Sequence, residues 1–146
     1  MSVFSKVTHI GVCVSDMQRS LAFYRDVLGF QYVYELRVEG EPSDTLLRLK
    51  GVRLHAVYLE RDGFRLELLH YSSPTSARPA PAHAMNDLGF THLSIQVPSL
   101  EEAMAALEKA GVEVLHPTFV KVGNQGGAVF AKDPDGLLIE LVLAHA

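Results

Sequence analysis

Apolar and polar residues alternate over residues 6–14, placing Ile10, Val12 and Val14 on one face and His9, Gly11 and Cys13 on the other. That period of two predicts a strand. A helical spacing follows. Leu21, Tyr24, Val27 and Leu28 share one side of a helix expected over about 17–28, capped by Ser15 or Asp16 and stopped by Gly29. Strands are expected near 30–38, 45–50, 53–60 and 64–71, with turns at Gly40, Gly51 and Asp62-Gly63. Residues 72–88 change character. Ser, Pro and Ala dominate there, Pro74, Pro79 and Pro81 among them, which predicts an extended linker. The pattern then restarts with a strand at 90–97 and a helix near 99–110, whose apolar side is Ala103, Leu107 and Ala110 and whose end is Gly111. Strands near 112–116, 118–122, 127–132 and 137–143 complete it, and Asp133-Pro134-Asp135-Gly136 forms the last turn.

The restart is a repeat. Val7-Thr8-His9-Ile10-Gly11-Val12 corresponds to Phe90-Thr91-His92-Leu93-Ser94-Ile95, and Asp62-Gly63-Phe64-Arg65-Leu66-Glu67 to Asp135-Gly136-Leu137-Leu138-Ile139-Glu140. The two His are 92 − 9 = 83 residues apart and the two Glu 140 − 67 = 73 apart, so the second unit has a shorter middle. The expected fold class is α+β. Two tandem βαβββ modules, 1–71 and 89–146, are joined by the 72–88 linker within one domain.

Strand parity places the polar residues. Leu66 and Leu68, Leu93 and Ile95, and Ile139 and Leu141 continue the apolar, helix-side face begun by Ile10 and Val12. His9, Glu67, His92 and Glu140 all fall on the opposite face. A single His or Glu on a strand is usually structural or solvated. Four at repeat-related positions, all opposite an apolar face, point to a shared metal site. Imidazole and carboxylate together suit Zn, Ni, Co, Mn or Fe(II), with positions left over for water or substrate. Cys13 and Gln96 fall on the same face and are candidate lining residues. His70 falls on the apolar face, and Phe23 and Tyr24 read as core. His55, Arg48 and Arg65 are read as solvated surface rather than as contacts for an anionic substrate. His83 and His145, in the linker and tail, are expected to be exposed, and His116 has no assigned role.

The chain has 146 residues, 48% of them hydrophobic, which is enough for a core. A net charge of −4 and the lack of any basic stripe argue against a nucleic-acid partner. No apolar run approaches the roughly 18 residues of a spanning helix, and no signal pattern opens the chain, so no membrane role is expected. Cys13 is the only cysteine, which makes an internal disulfide impossible and a cytoplasmic location the default.

Taken together, His9-Ile-Gly-Val-x-Val-x-Asp16-Met17, Ser20-Leu21-Ala22-Phe23-Tyr24-Arg25-Asp26-Val27-Leu28-Gly29-Phe30, Thr91-His92-Leu93 and Asp133-Pro134-Asp135-Gly136 leading to Ile139-Glu140-Leu141 resemble the vicinal oxygen chelate superfamily, the glyoxalase/bleomycin-resistance/dioxygenase fold. The resemblance covers nearly the whole chain outside the linker. It implies paired βαβββ modules forming a cupped, mostly antiparallel sheet around one divalent metal ion, with His9, Glu67, His92 and Glu140 as ligands. It further implies a homodimer and a small-molecule substrate that binds through its oxygens. The implied chemistry is proton transfer beside a metal-bound carbonyl, with Glu67 and Glu140 as catalytic acid and base. The glyoxalase I branch usually carries Arg where Cys13 stands, often Asn where Tyr71 stands, and a Gly-Pro-(Met/Val)-Lys loop where this chain reads Lys121-Val122-Gly123-Asn124-Gln125-Gly126-Gly127. These departures argue against a lactoylglutathione lyase. Methylmalonyl-CoA epimerases share the opening strand but usually have Gln at the place of Glu67, whereas cyclitol- or sugar-ketone epimerases would tolerate Glu67. An extradiol dioxygenase would need only His9, His92 and Glu140, and a drug-sequestering protein would normally dispense with the ligands.

Overall fold

The computed structural model describes residues 3–76, 84–123 and 126–144. His83 and His145 lie outside them. The described chain separates into two compact units, 1–77 and 78–146, each built around a four-stranded sheet.

In the first unit, β1 (Ile10–Cys13) leads into α1 (Met17–Leu21). Asp16 caps the helix, its Oδ1 accepting from the Arg19 N–H at 3.0 Å. The helix then widens into a π-helical segment, Ala22–Val27, closed by the Leu28 N–H donating to the Phe23 carbonyl at 2.9 Å. Consecutive Phe23 and Tyr24 are both buried there, as expected of core residues. Gly29, at φ 76°, ends it in a conformation that favours glycine. The remaining strands are β2 (Gln31–Glu39), β3 (Arg53–Arg61) and β4 (Phe64–Ser73). The sheet order is β1-β4-β3-β2, with β1 parallel to β4 and the other pairs antiparallel.

One element of this unit differs from expectation. The strand expected at 45–50 is instead a short helix, α2 (Ser43–Leu47). The Asp44 carboxylate is the cause. Its two oxygens accept from the Gly51 and Val52 N–H groups at 2.8 Å each, turning the segment back on itself. The apolar spacing misled because Leu46 points outward and is 82% exposed.

The second unit repeats the plan with β5 (His92–Val97), α3 (Leu100–Lys109), β6 (Val114–Val122), β7 (Gly126–Lys132) and β8 (Leu138–Leu143), ordered β5-β8-β7-β6. Ser99 caps α3 by accepting from the Glu102 N–H at 3.2 Å. The strands expected at 112–116 and 118–122 are one strand interrupted by a bulge: Leu115 pairs with Phe130, and the next pair is Val120 with Ala128. Thr118 bridges the break, its hydroxyl donating to the Leu115 carbonyl at 2.7 Å and accepting from the Phe130 N–H at 2.9 Å. The described chain thus has the α+β class and the two tandem βαβββ modules read from the sequence.

Candidate metal centre

Each unit's hairpin turn sets the phase of its last strand. Asp62 and Gly63 both take positive φ, 52° and 76°, in the turn between β3 and β4. In the second unit, Asp133 is buried and its Oδ1 accepts from the Asp135 and Leu137 N–H groups at 2.9 and 2.8 Å. Gly136 follows at φ 94°. Glu67 and Glu140 each stand four residues after the turn glycine (67 − 63 and 140 − 136), so the two carboxylates emerge on equivalent faces.

The parallel pairing of first and last strands then delivers a histidine to each carboxylate. Gly11 is in register with Glu67, and Ser94 with Glu140. The histidines stand two residues before those partners. His9 Nε2 lies 3.0 Å from Glu67 Oε2, and His92 Nε2 lies 3.2 Å from Glu140 Oε2. Two donor atoms about 2.1 Å from one ion, separated by about 90°, stand about 3 Å apart. Both pairs have that spacing and a donor chemistry that suits a divalent ion. The structure therefore brings His9 to Glu67 and His92 to Glu140. Among the described residues no group of three or more His, Cys, Asp or Glu forms a metal cluster.

The next ring atoms outward are also matched. Thr8 Oγ1 lies 2.9 Å from His9 Nδ1, and Thr91 Oγ1 lies 2.7 Å from His92 Nδ1. When Nδ1–H donates to the threonine oxygen, the Nε2 lone pair is left facing the carboxylate side, the tautomer a metal requires. An aromatic ring meets each imidazole edge-on: Tyr58 at 5.2 Å and 87° to His9, Phe130 at 5.5 Å and 80° to His92. Tyr58 is in register with Glu67, and Phe130 with Glu140. The Tyr58 hydroxyl donates to Glu67 Oε1 at 2.6 Å, and its ring stacks on Tyr34 at 4.4 Å and 14°. Burial first, and then the bond to Glu67, pushes the Tyr58 phenol well above its ordinary range, so it remains a donor.

Thr8, Thr91, Tyr34, Tyr58 and Phe130 were not read as site residues from the sequence. The Thr-His dipeptide repeated in both units was one available signal. The Asp62-Gly63 turn was another, because Arg61 pairs with Phe64 and the pairs that follow sum to 125, as 58 and 67 do.

The weaker candidates also find places. Cys13 is exposed and in register with Leu69, two residues from Glu67 on the same strand, and Gln96 is exposed and in register with Val142. His55 pairs with Glu35, Arg65 with Glu60 at 2.8 Å, and His116 with Glu108. His70 is half-buried and in register with His55. Arg48 is exposed, in the left-handed conformation at the end of α2.

A sequence model of the glyoxalase/bleomycin resistance protein/dioxygenase superfamily matches residues 6–141. The chain belongs to that superfamily. It is 32% identical over 147 residues to a lactoylglutathione lyase of Schizosaccharomyces pombe, covering 94% of this chain and 47% of that enzyme, so the chain spans about half of its length. It is 30% identical over 145 residues to a 2-epi-5-epi-valiolone epimerase of Actinomyces sp., covering 93% of this chain and 78% of that protein. Among solved structures, a glyoxalase family protein from Bacillus cereus superposes with a TM-score of 0.85 at 18% identity, covering 99% and 97% of the two chains, a likeness of fold. The superfamily thus holds both epimerases and lyases among this chain's relatives. No helix among the described residues is long and apolar enough to cross a membrane.

Proposed function

We propose that this superfamily member is a divalent-metal-dependent isomerase or epimerase that moves a proton at a carbon beside a carbonyl. The observation that carries the reading is the pair of equivalent His–Glu contacts, 3.0 and 3.2 Å, at repeat-related positions. His9, Glu67, His92 and Glu140 would together hold one ion of Zn, Ni, Co, Mn or Fe(II), within one chain or between two copies. When bound, that ion supplies Lewis-acid polarisation of a substrate carbonyl. The chain's own residues do the rest. Thr8 and Thr91 hold the imidazoles in the required tautomer. Glu67 and Glu140 are the carboxylates available as acid and base, a role typically worth ~10²–10⁴ in rate. The substrate is a small ketone of the cyclitol or sugar type, or an acyl-CoA thioester. The match to the valiolone epimerase favours the ketone. Cys13, Tyr71 and the 121–127 segment weigh against glutathione adducts despite the likeness to the lyase. The working form is a homodimer in the cytoplasm.

The test is metal analysis of protein purified without chelator, followed by solvent-deuterium exchange into a panel of ketones and thioesters. About one ion per protomer is expected, lost in a His9→Ala/His92→Ala double variant. Deuterium incorporation should be abolished by chelator and by Glu140→Ala. Full metal occupancy in the double variant would sink the metal reading. Catechol-dependent oxygen uptake would favour a dioxygenase, turnover of methylglyoxal–glutathione a lyase, and drug binding without metal or turnover a sequestering protein.

A further inference from the structure

Each His–Glu pair faces an aromatic ring in register with its glutamate, and the two rings differ by one oxygen atom. In the first, Tyr58 is 8% exposed and wedged between the stacked Tyr34 ring and the edge of His9, and its hydroxyl donates to Glu67 Oε1 at 2.6 Å. Glu67 is then committed at both oxygens, Oε1 to Tyr58 and Oε2 toward His9. In the second, the equivalent ring is Phe130, which has no donor. Among the described residues no hydroxyl or amide hydrogen-bonds to the Glu140 side chain, which faces His92 at 3.2 Å. Its side chain is also the more open, 24% exposed against 15% for Glu67.

We infer that Tyr58 is a positioning residue that makes Glu67 the fixed ligand of the pair and leaves Glu140 as the carboxylate free to take the substrate proton. The inference rests on the metal reading above and assigns its two glutamates different roles. In the step assigned to Glu140, the substrate C–H bond breaks, its electron pair moves toward the carbonyl oxygen, and the proton goes to a Glu140 oxygen. The electron pair then returns to the carbon, which takes a proton from water on the opposite face, and Glu140 gives its own proton to the hydroxide left behind. Rotating Glu67 to do the same would break its 2.6 Å bond from Tyr58 in a half-buried setting, where the loss is costly.

The experiment measures Zn(II) affinity by chelator competition, with no substrate present. Tyr58→Phe removes the oxygen and keeps the ring. Loss of a hydrogen bond that orients a ligand typically weakens metal binding about 10–100-fold, and that loss is expected here. It should persist in a Glu140→Ala background and vanish, to within about twofold, in a Glu67→Ala background, because the hydroxyl acts through Glu67 alone. Phe130→Tyr, which supplies Glu140 with the missing donor, should tighten binding. Equal losses in both backgrounds, or unchanged affinity in Tyr58→Phe and Phe130→Tyr alike, would overturn the inference while leaving the metal site standing. A His9→Ala/His92→Ala variant that binds Zn(II) as the parent does would overturn the site and this inference with it.

Discussion

Asp133→Ala should be among the most damaging single substitutions outside the two His–Glu pairs. The wild-type carboxylate is buried at 4% exposure and accepts the Asp135 and Leu137 N–H groups at 2.9 and 2.8 Å, folding the turn that launches β8. Hydrogen bonds to a charged acceptor contribute about 1.5–3 kcal/mol each. Residues 135 and 137 are only half-buried, so water can reach the freed amides, and the lower figure applies to each bond. The expected loss is therefore about 3 kcal/mol. For a chain of this size that is a fall in Tm of about 6–12 °C. Urea and thermal unfolding followed by circular dichroism would measure it. Asp133→Asn keeps an acceptor oxygen of the same shape and should recover most of the loss. An Ala variant within about 0.5 kcal/mol of wild type, or an Asn variant as unstable as Ala, would refute the assignment of stability to these bonds. The consequence reaches function, because Glu140 stands four residues beyond Gly136 on the strand this turn sets in register.

Other outcomes follow from the same geometry. Gly127→Ala would put a Cβ 2.8 Å from the Val120 carbonyl oxygen and 2.9 Å from Leu100 Cδ1; backbone cannot yield there, and a loss of about 1–3 kcal/mol is expected in urea unfolding. Lys121 Nζ donates to Glu101 at 2.8 Å and holds that carboxyl below its ordinary value of 4.5. A depressed carboxyl adds stability above its unfolded pKa and loses it as pH falls through the folded one, so Lys121→Met should be slightly less stable than wild type at pH 7 and equal to it in acid. Both groups are exposed, and the difference should shrink in high salt. Light scattering at micromolar concentration should give the mass of a dimer, and a monomer would count against the proposed assembly.

The sequence made the units legible because their signals are local. Two-residue periodicity, Asp-Gly turns, the helix cap at Asp16 and the helix stop at Gly29 act within a few residues of one another. Placing His9 with Glu67 needed only strand parity and the repeat, and both His–Glu contacts are found in the structure. What escaped depends on longer reach. Asp44 bends its segment through amides seven and eight residues away. Thr118 stands in for a ladder bond across a bulge that no alternation pattern reveals. Tyr58 reads as one more core aromatic until the hairpin register brings it to Glu67.

The His–Glu contacts also join the two ends of each unit. His9 and Glu67 are 67 − 9 = 58 residues apart, and His92 and Glu140 are 140 − 92 = 48 apart. In each case the contact spans from the outermost strand of the sheet to the one strand that pairs with it. A cross-link closing a loop of that length removes unfolded-chain entropy worth about 4 kcal/mol in the simplest polymer treatment. An ion gripping both members of a pair would thus act as a reversible staple on the whole unit. Its removal would first release the edge strand, and the histidine that precedes or opens that strand would leave with it.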